Sequence, residues 1–271
     1  MLFFPNAKIN LGLQIINRRV DGYHNIETLM LPVGIRDALE FIPSSDTSFT
    51  LTGNVLDILP EQNLCMKAYK LLSSKYSLPP ISIHLHKVIP TGSGLGGGSA
   101  NAAFMLIKLN TYFNLNLTTT PLIEFASELG SDCPFFIHNS PCISTGRGEI
   151  LEPFQFSNNN FKIVIVHPGI HINTAWAYSQ AIPCSNRLSI KSIINSLQPE
   201  KWKNELENDF EKIVFTKYPE IKELKDKLYS LGAVYASMTG SGSAVFGLFN
   251  ENIPELTEHF SCFSWQGPFI Y

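Results

Sequence analysis

Several things this chain of 271 residues lacks narrow what it can be. Cysteine is scarce and shows no pairing pattern. Cys65, Cys133, Cys142, Cys184 and Cys262 are odd in number, widely spaced and without a CxxC pair, so neither a disulfide framework nor a zinc cluster is expected, only buried thiols. No apolar run approaches the roughly 18 residues of a membrane span, and the opening MLFFPNAKIN has neither the charged start nor the long apolar core of an export signal. A cytoplasmic protein without a membrane partner is expected. Charge of one sign is lacking too: 20 Lys and Arg face 23 Asp and Glu, a net charge of −3 with no basic stretch to form a nucleic-acid surface. Any anionic ligand must therefore be bound by a local device. What the composition does supply is 44% apolar residues, enough for two modest domains with a core each.

The local device is Pro90 to Ala103, PTGSGLGGGSANAA, in which Gly92, Gly94, Gly96, Gly97 and Gly98 crowd into a few positions. Such a run lets several backbone N–H groups converge, because no Cβ blocks the φ/ψ values this requires. Upstream, Ile81, Ile83 and Leu85 alternate with Ser82, His84 and His86, the period of a half-buried strand. Downstream, Ala102, Ala103, Leu106, Ile107, Leu109 and Phe113 form a helical stripe, with Ser99 and Asn101 placed to cap its start. Strand, glycine loop, helix: the free N–H groups and the positive end of the helix dipole meet in the loop and suit a phosphate. A Walker loop is excluded, since no lysine follows the glycines before Lys108. Gly92, Gly94 and Gly97 satisfy GxGxxG, but Tyr112 to Leu117 lacks the acidic residue that a dinucleotide fold places about 20 positions on.

Elsewhere the pattern supplies elements but few functions. In AKINLGLQII (7–16), Ile9, Leu11, Leu13 and Ile15 alternate with Lys8, Asn10, Gly12 and Gln14, so Lys8 and Asn10 share a strand face, where spacing alone suggests a solvated lysine. Asp21-Gly22 marks a turn, followed by Tyr23, His24 and an extended NIETLMLPV. Helices are expected over 60–76, 122–129, from Asn173-Thr174 onward, over 200–215 and over 219–231, the last between Pro219 and Gly232. Asp132, just past a helix end and two residues before Pro134, reads as a turn or cap residue. His84 and His86 share a strand face but lack a third metal ligand. A composition shift at SNNN before KIVIVHPG divides the chain into domains 1–158 and 159–271.

Three strings, PNAKINLGL, GLGGGSANAA and the TGSGS that follows Met238, occur in the order of the three motifs of the galactokinase, homoserine kinase, mevalonate kinase and phosphomevalonate kinase superfamily, which this chain resembles over its whole length. The second string is most similar to the branch that acts on a cytidyl-bearing alcohol of isoprenoid precursor synthesis, where a second serine is usual at Ala100. The resemblance implies an α+β fold with an N-terminal ATP-binding domain, of the kind seen in domain 2 of ribosomal protein S5, containing a left-handed βαβ unit, and a C-terminal ferredoxin-like α/β domain. It implies ATP and Mg²⁺, with no metal ligand nameable, and Lys8 and Asp132 as the catalytic pair. Asn63, Leu64, Lys87, Pro90, Gly92, Gly94, Leu95, Gly96, Gly97, Gly98 and Ser99 would hold the nucleotide. Asn10, Tyr23, His24, Asp132, Thr174 and Tyr178 would hold the small-molecule acceptor, Tyr23 and Tyr178 by stacking on its cytosine. A sibling kinase for mevalonate or homoserine, and an ATP-binding regulator without catalysis, are the competing readings.

Overall fold

The computed structural model describes residues 1–54, 59–157, 161–250 and 254–271. A domain boundary at 158/159 falls outside the described residues. The chain builds two compact units from interleaved stretches: Met1–Ala7, Ile35–Thr91 and Gly96–Asn139 in the first, Lys8–Gly34, Gly92–Leu95 and Ser140–Tyr271 in the second.

In the first unit the alternation at 81–87 works out as a strand, Ile81–Lys87, with Ile81, Ile83 and Leu85 buried and His84 and His86 exposed. It pairs antiparallel with Ala38–Pro43 and parallel with Ser48–Gly53, and Leu2–Phe3 adds an edge. Helix Leu64–Tyr76 lies in the crossover between the two parallel strands, making a βαβ unit. With helix Gly97–Tyr112 it buries Ala68, Leu72, Ala102, Met105, Leu106 and Leu109 on Ile83 and Leu85. Each large apolar side chain so buried stabilises the fold by roughly 1.5–3 kcal/mol. Helices Thr119–Leu129 and Cys133–His138 complete the unit. His84 Nε2 and His86 Nδ1 both bond to Thr52 Oγ1, at 2.9 and 3.0 Å, and among the described residues no group of three candidate metal ligands occurs.

The second unit holds two sheets. One runs Asn6–Arg18, His24–Arg36, Cys142–Thr145, Ile150–Pro153. Its first strand departs from the half-buried expectation: Lys8, Asn10 and Gln14 are each 2% exposed, so the polar face is covered as fully as the apolar one. The other sheet is antiparallel throughout, in the order Tyr235–Met238, Val245–Phe249, Lys162–His167, Phe263–Pro268. Numbered along the chain, those strands stand 2-3-1-4, the ferredoxin-like arrangement. The first crossover carries helices Thr174–Gln180, Ile190–Ser196, Phe210–Lys217 and Pro219–Ser230, while the described part of the second has only a 3-10 turn, Thr257–His259.

Two helix expectations need correction. The stretch 200–215 is broken: a 3-10 turn and a short helix end at Glu205, and a new helix begins at Phe210. After Leu206 N, which still bonds to Trp202 O, the helix stops because Glu207 O and Asp209 N bond to Leu13 instead. Helix Ile190–Ser196, capped by the Ser189 side chain on Ser192 N, was not anticipated, and neither was helix Cys133–His138. The buried thiols are also fewer than expected, for Cys184 is exposed and Cys262 half-buried.

Candidate active site

In the first unit the expected anion site is the start of helix Gly97–Tyr112. Its N-cap is Gly96, at φ +72°, and no side chain caps it; Ser99 and Asn101 do not serve as caps. Asn101 is buried instead beneath the loop, in a network that fixes where the strand ends and the loop begins. Asp37 Oδ1 accepts the amides of Val88 and Ile89 at 2.8 and 2.9 Å, and Oδ2 accepts Asn101 Nδ2 at 2.9 Å and the Lys87 ammonium. Lys87 Nζ also donates to Asn101 Oδ1 at 3.2 Å. Burying an ion pair is costly unless its remaining donors and acceptors are filled, and here they are filled by loop-entry backbone and by the helix. Lys87 Nζ lies 3.0 Å from the point where a Cβ on Gly97 would stand, and Leu64 Cδ1 lies 3.6 Å from that point on Gly98. Asn63 caps helix Leu64–Tyr76, its Oδ1 accepting Cys65 N at 2.9 Å, and Pro90 is buried. The expected nucleotide residues Asn63, Leu64, Lys87, Gly97 and Gly98 are thus neighbours. Asp132 stands at the head of helix Cys133–His138, half-buried, and makes no side-chain cap bond there. The next residue, Cys133, meets the Ser99 side chain, and burial pushes its thiol up to about 12.

In the second unit the loop tip Gly92–Leu95 lies against the loop after Met238. Ala244 N donates to Ser93 O at 3.0 Å and Lys8 N to Leu95 O at 2.9 Å. Gly94, at φ +83°, comes so close that a Cβ would sit 2.1 Å from Thr239 O. Lys8 Nζ donates to Asn10 Oδ1 at 2.5 Å and to Gly94 O at 3.0 Å. Asn10 N donates to Thr239 Oγ1 at 3.0 Å, and Asn10 Nδ2 to Thr28 Oγ1 at 3.1 Å. The solvated-lysine reading therefore fails: Lys8 is a buried ammonium aimed by an amide oxygen and by a loop carbonyl. Thr174 Oγ1 and Ser241 Oγ are 2.9 Å apart, and the His171 ring lies beside Gly92, its Nδ1 2.6 Å from the point a Cβ there would occupy.

The turn at Asp21-Gly22 forms as expected, with Arg19 N donating to Tyr23 O at 2.8 Å. It leaves Tyr23 56% exposed, with the Arg147 guanidinium 5.0 Å from its ring centre. His24 stacks on Tyr178 at 5.3 Å and 19°, and Tyr178 meets the edge of Phe210 at 4.9 Å. Burial, together with Arg18 nearby, lowers the His24 pKa from its ordinary value, which favours the neutral form that can both donate and accept. Sequence reasoning missed Thr239, Arg147 and Asn208. TGSGS flagged the loop that carries the first, while neither Arg147 nor Asn208, in ENDF, was singled out.

A helix start suited to a phosphate in the first unit, and in the second a buried lysine beside two glycine loops laid together, are parts that a small-molecule kinase uses. A family model for the GHMP kinases N terminal domain matches residues 63–140, and one for the GHMP kinases C terminal matches residues 191–260. The chain is 47% identical over 269 residues to the 4-diphosphocytidyl-2-C-methyl-D-erythritol kinase of Parabacteroides distasonis, covering 98% of this chain and 99% of that protein. It is 50% identical over 254 residues to the kinase of the same name from Bacteroides fragilis, covering 92% of each. A crystal structure of 4-(cytidine 5'-diphospho)-2C-methyl-D-erythritol kinase superposes with a TM-score of 0.82 at 30% identity, covering 99% of both chains. The chain belongs to the 4-diphosphocytidyl-2-C-methyl-D-erythritol kinase family of the GHMP kinases. It is an ATP-dependent phosphotransferase. Among the described residues no helix is long and apolar enough to cross a membrane.

Proposed function

We propose that the protein transfers the γ-phosphoryl group of ATP to the 2-hydroxyl of 4-diphosphocytidyl-2-C-methyl-D-erythritol, a step of the non-mevalonate route to isoprenoid precursors, in the cytoplasm where ATP is held. Near-full-length identity to kinases of that name supports the substrate. The observation in this chain that carries it is the Gly22-Tyr23-His24 turn, which stacks the His24 ring on Tyr178 and leaves Tyr23 exposed beside the Arg147 guanidinium. Aromatic faces with a donor and an acceptor beside them suit a pyrimidine base. Mevalonate and homoserine, as acceptors, carry no base to hold.

Phosphoryl transfer needs positioning, neutralisation of charge and a proton acceptor. Asp132 accepts the proton of the attacking hydroxyl. Lys8, already aimed by Asn10 Oδ1 and Gly94 O, neutralises charge on the group in transfer and orients Asp132. Pro90, Gly92, Gly94, Leu95, Gly96, Gly97, Gly98 and Ser99 cradle the phosphates, Asn63 and Leu64 flank the adenine, and Lys87 acts on the nucleotide through the loop entry it anchors. Thr174 joins Asn10, Tyr23, His24 and Tyr178 around the acceptor. Mg²⁺ is expected with ATP, would be brought on its phosphates and would neutralise their charge during transfer.

The test is ATP consumption by the purified protein with the cytidyl substrate, mevalonate or homoserine as acceptor. Turnover with the first alone is expected. Turnover with either of the others instead would overturn the substrate assignment.

A further inference from the structure

The break at Leu206–Asp209 has a structural purpose. Leu13 N donates to Glu207 O and Asp209 N to Leu13 O, both at 2.9 Å, which lays the segment parallel to the strand that carries Lys8 and Asn10. Asp209 Oδ2 accepts Ile15 N at 2.6 Å, and the Arg187 guanidinium forks onto the same carboxylate, with Nη1 2.7 Å from Oδ1. Asn208 stands between these tethers, 2% exposed, with its side-chain hydrogen-bonding groups used on three backbone sites. Nδ2 donates to Met238 O at 2.8 Å and to Gly240 O at 2.9 Å, the two carbonyls that flank Thr239, and Oδ1 accepts Phe210 N at 3.0 Å. One turn on, Glu211 Oε1 accepts Met238 N at 2.8 Å and Ser237 Oγ at 3.0 Å.

We propose that Asn208 is a positioning residue for phosphoryl transfer. It acts through Thr239, whose hydroxyl takes the amide of Asn10 at 3.0 Å and lies 3.3 Å from both Asn10 Oδ1 and Gly94 O, the two acceptors of the Lys8 ammonium. Because 207–209 is fixed to the Lys8 strand by backbone bonds, Asn208 transmits the position of that strand to the glycine loop. Without the Asn208 amide, the part-buried Gly240 O would lose this donor and Met238 O would keep the longer bond from the Ser237 hydroxyl, at 3.3 Å, so the segment would shift and carry Thr239 with it. A displacement on the order of 1 Å near a reacting group costs roughly 10²-fold in rate. The inference rests on the kinase reading above.

Asn208→Asp tests it with a change of one atom: the acceptor for Phe210 N stays, and an oxygen replaces the donor to both carbonyls. We expect kcat to fall about 10²-fold while KM for the cytidyl substrate stays within about threefold. Thr239→Val should add little to that loss, because residues that act as a unit are not additive. An unchanged kcat in folded Asn208→Asp, or losses that multiply fully in the double variant, would overturn the proposal. Asn208→Ser removes both amide donors with a smaller side chain and serves if the carboxylate prevents folding. If neither folds, amide exchange of the wild-type protein decides. With a non-hydrolysable ATP analogue, 207–211 and 237–244 should gain protection together, and protection confined to 237–244 would count against the proposal. Wild-type turnover of mevalonate or homoserine would refute the substrate assignment alone, and the Asn208 variants would then be measured with that acceptor.

Discussion

Replacing Gly94 by alanine adds one methyl group where two loops touch through their backbones. At φ +83° an L-residue costs about 1–2 kcal/mol relative to its preferred conformations. The new Cβ would lie 2.1 Å from Thr239 O and 3.1 Å from Thr239 C. Carbon and carbonyl oxygen settle at about 3.3–3.6 Å, so the loops must part by roughly 1 Å, and relieving such overpacking costs about 1–3 kcal/mol. The sum, about 2–5 kcal/mol, corresponds to a fall in Tm of about 4–20 °C at roughly 2–4 °C per kcal/mol for a chain of this size. Since Lys8 Nζ is aimed by Gly94 O, kcat should also drop on the order of 10²-fold. Gly98→Ala is the matched control. Gly98 has no positive φ, its added Cβ would make one ordinary contact, 3.6 Å from Leu64 Cδ1, and a helical alanine is favoured over glycine by roughly 0.5–1 kcal/mol. A thermal scan and steady-state kinetics on both proteins settle the matter. If Gly94→Ala melted with the wild type and kept kcat within threefold, or if Gly98→Ala lost as much stability, the close-approach reasoning would be wrong.

Asp132→Asn should keep ATP affinity by calorimetry and lose about 10² to 10⁴ in kcat, the usual scale for a general base; near-normal turnover would remove Asp132 from that role. Lys8→Ala should cost at least on the order of 10² in rate, and its loss should not multiply with that of Asp132→Asn, which a two-by-two set of kcat values checks. Tyr23→Ala and Tyr178→Ala should each raise KM for the cytidyl substrate about 5 to 150-fold, from roughly 1 to 3 kcal/mol of stacking, while KM for ATP moves by no more than about twofold; the opposite pattern would assign the tyrosines to the adenine side. Alkylation of the native protein at pH 8 followed by mass spectrometry should mark exposed Cys184 first and spare Cys65 and Cys133, whose thiols burial pushes up to about 12. Early labelling at Cys133 would contradict its packing.

Elements whose apolar residues follow one period were legible from the sequence. Ile81, Ile83 and Leu85 announced their strand, and Pro219 with Gly232 bracketed helix Pro219–Ser230 closely. The glycine run announced a helix start, although Gly96 rather than a side chain caps it. What stayed hidden depended on partners far along the chain. Lys8 and Gln14 sit at polar positions of an alternating strand, and no local pattern reveals that Gly92–Leu95, Leu206–Asp209 and Thr239 cover them. The break in 200–215 was unreadable for the same reason, since the backbone groups of Glu207 and Asp209 prefer Leu13 to their own helix. Asn101 resembled a cap because asparagine near a helix start usually is one, and only Asp37, distant in sequence, shows its actual use.

The interleaving of the two units has a consequence for the order in which the polypeptide is made. Every stretch of the first unit has been synthesised once Asn139 is added. The second unit's opening strands, Asn6–Arg18 and His24–Arg36, are among the earliest residues translated, yet what they pair with comes far later: Cys142–Thr145 across one edge, Asn208 beside Leu13, and Phe269 opposite Val33. A ribosome adding about 5–20 residues per second would hold this strongly apolar hairpin without its partners for roughly ten seconds or longer. During that interval it is a substrate for chaperones and a hazard for aggregation, while helix Gly97–Tyr112, made before Asn139, can already fold.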